Sequence, residues 1–285
     1  MRTAIITDSN SGIFEQEARQ LGIYTVPMPV ILDGETCYEG TTLTHTEFFG
    51  RLKQKAQAST SQPAPQNVIR VWEQAVSDGY DEIVYIPMSS GLTGGVQTAK
   101  LLAEDYPGTV YVVDNHRIAI TQRHSVQDAI VLRDQGRTGA QIKARLEETA
   151  YASLVYVGVQ DLEFLRRGGR ITPAAQTMGT LLKLKPLLVI RGDKLDAYAK
   201  VRGVRQCMER EIRAMHDFSE ELKGKGRPVY ISAAGSFAED ADAAAWYQMV
   251  QAAFPEDKVD YDPLTFSVSC HVGPDAFGMG VSIRL

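Results

Sequence analysis

The chain is predicted to be an α/β protein of two domains, an N-terminal domain on a parallel sheet (residues 1–150) and a C-terminal α+β domain (residues 151–285). Three observations carry this. Strand-like and helix-like segments alternate through the first half, the pattern of right-handed βαβ units. The second half mixes a hairpin with long helices. And 285 residues exceed what one simple core commonly holds.

The elements follow in order. Thr3 to Thr7 is a short apolar run that ends in the polar turn DSNSG, and Ile13 to Leu21 reads as a helix. Thr25 to Leu32 is strand-like, with Pro27 and Pro29 marking it as irregular or as an edge. Thr44 to Lys55 reads as a helix, since Thr44 and Glu47 have the spacing of a capping box. Gln57 to Ala64 is polar and is expected to be a loop. The following helix places Val68, Trp72, Ala75 and Val76 on one face. EIVYIP (Glu82 to Pro87) and TVYVVD (Thr109 to Asp114) are buried strands, with a helix between them from about Gly95 to Glu104. Beyond residue 150, Leu154 to Val159 is a strand, and a helical stretch ends at Arg167 before two glycines. Pro173 to Leu182 reads as helical. Lys185 to Ile190 and Leu195 to Val201 flank Arg191-Gly192-Asp193-Lys194 as a β-hairpin. Val204, Met208, Ile212, Met215 and Leu222 mark one face of a long helix. Pro228 to Ala233 is a strand, Glu239 to Ala253 a helix, and the tail offers two more strands that can return toward the first domain.

Composition excludes several classes of function. Hydrophobic residues at 44% and charged residues at 23% are those of a globular chain. A net charge of −5 disfavours a nucleic-acid partner, because phosphate backbones attract basic surfaces. No apolar run approaches the roughly 20 residues that span a bilayer, so stable membrane insertion is not expected. The apolar-leaning run in the opening MRTAIITDSN is too short for a signal peptide, so export is not expected. Cys37, Cys207 and Cys270 are odd in number and far apart, which suits a reducing cytoplasm.

The sharpest motif is MSSGLTGG, Met88 to Gly95, between a strand and a helix. Ligands gather at the carboxyl ends of parallel strands. Here that end carries the hydroxyls of Ser89, Ser90 and Thr93, with Gly91, Gly94 and Gly95 exposing backbone before a helix N-terminus. The segment reads as an uncharged anion site or as a capped βα turn. It lacks the Gly-Lys-Ser/Thr ending of a nucleoside triphosphate loop. STSQPAP, Ser59 to Pro65, holds Thr60 and Ser61 on a proline-stiffened loop, to cap a helix or meet a ligand. Arg170 follows a glycine pair and suits a carboxylate or phosphate, and Lys200 and Arg202 add positive charge further on. His271 lies among strand-like residues before Gly273-Pro274 and reads as a base, an anion contact or a structural donor. Asp8, Asp114, His116 and His124 form a second set. They could ligate a divalent metal for phosphoester hydrolysis, or Asp8 and Asp114 could brace neighbouring loops. A sugar-phosphate or acyl-phosphate enzyme built on the glycine-rich turn and Arg170 is a further alternative. The apolar stretch Thr172 to Ile190, with Met178, Leu181, Leu182, Leu184, Leu187, Leu188, Val189 and Ile190, is either core or the wall of a long pocket.

Along the chain stand, in one order, TDSNS, TSQP, SSGLTGG, VVDN, FLRRGGRI, LKLKPLL and HVGP. This succession resembles the DegV family of bacterial fatty-acid-binding proteins over nearly the whole chain. The resemblance implies two α/β domains with a long-chain fatty acid at their junction and no other cofactor. It implies that Thr60 and Thr93 hydrogen-bond the carboxylate, with Ser61, Ser90, Gly94 and His271 around it. Arg170, and with it Arg202, would serve phosphate contact or coupling to a partner. The family usually has Ser where Thr93 stands, and often Thr at Gly95 and Ser at Asn115. It also implies a partner, a separate fatty acid kinase that makes acyl phosphate, so that this chain is a carrier and no enzyme. The physics is consistent: roughly fourteen buried methylenes supply about 11 kcal/mol before the costs of binding, so the head group needs only orientation.

Overall fold

A computed structural model of the chain describes residues 1–160, 162–177 and 184–285. The first half runs β1 (Thr3–Asp8), α1 (Glu15–Gln20), β2 (Tyr24–Val26), β3 (Pro29–Leu32), β4 (Glu35–Tyr38), α2 (His45–Lys53), β5 (Ala58–Thr60), α3 (Pro65–Ser77), β6 (Glu82–Ile86), α4 (Gly95–Leu102), β7 (Val110–Val112), α5 (Ala119–Asp134) and α6 (Gly139–Glu148). The second half adds β8 (Ser153–Gly158), α7 (Glu163–Gly168), α8 (Pro173–Gln176), β9 (Leu184–Ile190), β10 (Asp196–Arg202), α9 (Val204–Gly224), β11 (Val229–Gly235), α10 (Asp240–Ala253), β12 (Val259–Pro263), α11 (Phe266–Val272) and β13 (Phe277–Ile283).

Three sheets result. The first is parallel, in the order β2-β1-β6-β7. Its central strands β1 and β6 are buried on both faces and read as continuous apolar runs for that reason. Trp72, Val68 and Ala75 of α3 and Val96 of α4 pack with one face, and Val126 and Ala129 of α5 with Ile142 and Leu146 of α6 pack with the other. The second sheet is mixed, in the order β10-β9-β8-β13-β11-β12. The predicted hairpin is there, β9 against β10 in antiparallel register. The third sheet is small and antiparallel, β4-β3-β5, and shares a core with Phe48 and Phe49 of α2 and Phe266 and Cys270 of α11.

Several expectations need correction. Thr25 to Leu32 divides into β2 and β3, which belong to different sheets. The expected loop from Gln57 holds β5, with Thr60 opposite Val30. Val76 is 45% exposed and does not share the buried face of α3. His271 lies on a helix, α11, and not among strand residues. The helix predicted over Pro173 to Leu182 is described as far as Gln176, and Met178, Leu181 and Leu182 lie outside the described residues.

The helix α5 was not anticipated, and it joins the two large sheets. One side packs on the parallel sheet. The other faces the mixed sheet through polar side chains: His124 Nδ1 and Nε2 lie 2.7 and 2.8 Å from the hydroxyls of Ser282 and Ser232. Tyr230 donates to Asp128 at 3.2 Å nearby.

Candidate functional site

A cavity of about 840 Å³ of atom-free space, its mouth included, lies between the parallel sheet's loops, the mixed sheet and α11. Its wall is apolar over most of its length: Met28, Leu92 and Ile118 on one side, Val155, Val157 and Val268 on the other. Its polar lining gathers Thr60, Ser61, Gln62 and Thr93 with Arg170 and His271. Arg170 is the one charged residue among the described lining residues.

Each polar residue is placed by local structure. Thr60 ends β5, and its Oγ1 lies 2.8 Å from His271 Nε2, across 211 residues of chain. Gly168 ends α7 directly beside that ring; a Cβ there would sit 2.2 Å from His271 Nδ1, so the glycine makes room for the imidazole. Burial, aided by the Arg170 charge, holds His271 down at about 4, so the ring is neutral at pH 7. Arg170 Nε donates to the Leu92 carbonyl at 3.4 Å, and its Nη1 donates to the Gly168 carbonyl. The turn around it is pinned to the hairpin, because Leu195 N donates to Arg170 O and Thr172 N to Leu195 O, both at 2.9 Å.

The SSGLTGG loop divides its labour. Ser89 is committed to the fold: its hydroxyl donates to the Gly192 carbonyl of the hairpin turn and accepts from Gly91 N at 3.1 Å. A Cβ at Gly91 would fall within 2.5–2.8 Å of Asp193 and Gly192, so the two turns touch backbone to backbone. Thr93 faces the cavity, and its Oγ1 accepts from Gly95 N at 3.3 Å. Gln62 of the TSQP loop donates to Thr98 Oγ1 on α4, the helix that follows this loop, at 2.9 Å. Ser90 and Gly94 do not line the cavity; a Cβ at Gly94 would lie 3.1 Å from Gln62 Oε1. Arg202 is exposed at the end of β10 far from Leu195 and does not line the cavity.

Of the apolar stretch ending at Ile190, that residue alone lines the cavity among the described residues. Leu187 and Val189 point to the other face of the sheet. The wall instead comes from scattered positions. Sequence reasoning also missed Asn10, which lines the cavity, accepts from Ala119 N at 3.1 Å and donates to Ser267 Oγ at 3.0 Å. Its only signal was its place beside Asp8 in TDSNS.

The four candidate metal ligands do not converge. Asp8 accepts from Met88 N, Asn10 N and Gln122 Nε2 at 2.9–3.1 Å, and burial pushes its carboxyl up to about 6. Asp114 lies 3.6 Å from Lys100 Nζ. His116 stacks on Tyr151 with ring centres 5.1 Å apart, and His124 sits between two serines. Among the described residues no group of three or more His, Cys, Asp or Glu side chains could hold a metal, so the phosphoesterase reading finds no support. No described helix is long and apolar enough to cross a membrane.

A parallel α/β sheet joined to a mixed sheet around an apolar cavity with a hydroxyl-rich end is the form of a small-ligand-binding protein. The chain belongs to the DegV family: the model for that family, described as uncharacterised protein, DegV family, matches residues 2–284. A DegV domain-containing protein of Deinococcus radiodurans is 32% identical over 288 residues, covering 99% of this chain and 98% of that one. A DegV family protein of Thermus thermophilus, described as binding fatty acid, is 32% identical with a TM-score of 0.88, covering 99% of this chain and all of the other. DegV of Bacillus subtilis, described as a fatty acid binding protein, is 25% identical with a TM-score of 0.84 over the whole of both chains.

Proposed function

We propose that this protein is a cytoplasmic carrier that binds one long-chain fatty acid in the cavity and presents its carboxylate to a separate fatty acid kinase. The observation that carries the reading is the Thr60–His271 pair at the polar end of an otherwise apolar cavity. A neutral imidazole with its proton on Nε2 donates to Thr60 Oγ1 and leaves the threonine proton free for a carboxylate oxygen. Thr93 adds a second hydroxyl, Ser61 lies at the exposed rim, and Arg170 supplies the charge that keeps the acid ionised. Hydroxyls orient the head group without the desolvation cost of a fully buried ion pair. Residues 1–150 bring the carboxylate loops and residues 151–285 most of the acyl wall. In the kinase step Arg170 meets the phosphoryl group. The fatty acid binding described for the Thermus and Bacillus proteins supports this reading.

The test is mass spectrometry of organic extracts from the purified protein, followed by titration with palmitate and oleate. The expected result is a stoichiometric long-chain acid and saturable uptake. A preparation that carries no acyl lipid and takes up neither acid overturns the reading.

A further inference from the structure

The short helix α11 carries His271 and Ser267 to the cavity, and the small sheet grips it at two points. One is the Thr60–His271 bond. The other is Glu39, just beyond β4, whose Oε2 accepts from Phe266 N, the first residue of α11, at 2.7 Å. Between these points the seam is apolar, with Phe48 stacked on Phe266 at 4.2 Å between ring centres and Cys270 buried beside them. A carboxyl group at an apolar seam with a single backbone donor is an expensive way to hold a helix, so its presence calls for a role.

We propose that Glu39 is the positioning residue of the head-group site: its carboxyl group holds the first turn of α11 and thereby sets His271 against Thr60. The inference rests on the functional reading above for its effect on ligand, and on contacts within the chain for the rest. Its consequence is a site whose closure responds to pH near neutrality. Burial pushes Glu39 up to about 7 from an ordinary 4.5, with the Phe266 N–H opposing. Among the described residues no cation compensates it. Of the groups on α2, Arg51 pairs with Asp33 and Glu35, Lys53 lies 3.9 Å from Glu239, and His45 Nε2 is 3.1 Å from the Phe237 carbonyl. The titratable group facing it from α11 is the Cys270 thiol, which burial pushes up to about 12 and keeps neutral.

The sign follows from linkage. A carboxyl whose value is raised in the packed arrangement binds its proton more tightly there than in the opened one. The packed arrangement is therefore favoured with Glu39 neutral, and loses ground as pH rises from about 4.5 through about 7. Those two values make opening of the seam about tenfold more favourable at pH 8 than at pH 6.

Two measurements on the full chain test this. The first is amide hydrogen exchange over residues 266–272, corrected for the intrinsic pH dependence of exchange. The wild-type protein should lose about tenfold in protection between pH 6 and pH 8. Glu39→Gln, which keeps an acceptor of the same shape, should hold its protection constant, and Glu39→Asp should restore the pH response. The second is the rate of palmitate release, which should rise with pH in the wild type and stay flat in Glu39→Gln. Wild-type protection that does not change with pH, or a Glu39→Gln protein that retains the wild-type response, overturns the proposal. The exchange series on the wild type needs no variant to fold. A wild type that binds no palmitate at any pH defeats the fatty acid reading alone, because the exchange result still decides the role of Glu39.

Discussion

The two faces of the mixed sheet are built from one set of strands and do opposite things. Strand β13 reads Phe-Gly-Met-Gly-Val-Ser-Ile, and a strand sends alternate side chains to opposite faces. Phe277, Met279, Val281 and Ile283 go to the face covered by α9 and α10, where they pack with Met215, Trp246 and Val250 into a solid core. Gly278, Gly280 and Ser282 go to the other face. There Gly278 floors the cavity beside Ala234, Ile120 packs over Gly280, and Ser282 meets His124. The bulk absent from one face is space for a ligand, and the bulk present on the other lets the sheet tolerate that space. Gly158 shows how tightly the solid face is filled: a Cβ there would fall 2.2 Å from the Phe277 ring.

Removing bulk from one face and adding it to the other should therefore have opposite signatures. Phe277→Ala empties a fully buried site against Trp246 and should cost about 3–5 kcal/mol in urea unfolding. The folded protein should still bind palmitate within about threefold of wild type, since the lost ring lies across the sheet from the ligand. Ala234→Leu adds atoms to open space on the cavity face and should change stability by less than about 1 kcal/mol. It displaces about three to four methylenes of ligand and should weaken palmitate about a hundredfold by calorimetry. If both variants lose stability and binding together, the two faces are one core and the comparison fails.

How much of this was legible in the sequence follows the same division. Elements with a single buried face or a continuous apolar run were readable: EIVYIP became β6, and the Thr44–Glu47 capping box opens α2 with both of its hydrogen bonds. Strands β3, β4 and β5 are three or four residues long, and Pro29 opens the first of them, so they show too little periodicity to read. The helix α5 is buried on two sides, one of them lined by His124 and Asp128, so its polar residues do not mark a solvent face opposite an apolar one. In the site, Thr60, Thr93, Arg170 and His271 stood out by residue type and local turn chemistry, and all four line the cavity. Only the resemblance to the DegV family brought Thr60, Thr93 and His271 together; their own residue types did not, since proximity depends on how loops as far as 211 residues apart are carried. Asn10 and Glu39 act through backbone N–H groups supplied by other elements, and no local pattern announces that.

Within the cavity, the polar and apolar ends can be separated in turn. Thr60→Val and Thr93→Val keep the shape of the side chain and delete the hydroxyl. A hydrogen bond to a charged acceptor is worth about 1.5–3 kcal/mol, so each should weaken palmitate by about ten- to a hundredfold. The methyl ester of palmitic acid, which has no charged acceptor, should be weakened far less by either change. Equal losses for acid and ester would move the head group away from these two hydroxyls.

The smallest expected effect is an absence of titration, and it bears on how the polar end works. His271 is held down at about 4 by burial and by Arg170, so between pH 5 and 8 its ring should stay neutral. Its ring protons should show no pH-dependent shift in NMR spectra over that range. The native state thus binds fewer protons at this ring than the unfolded chain does, and the ring's contribution to stability falls as pH drops from about 6.5 toward 4. This is opposite in sign to the response assigned to Glu39, although both side chains hold the same helix. A His271 that instead titrates near its ordinary value would carry a proton at pH 6 and present a cation to the ligand. A second charge beside Arg170 would then hold the head group, while the protonated ring would still donate from Nε2 to Thr60 and leave its hydroxyl free.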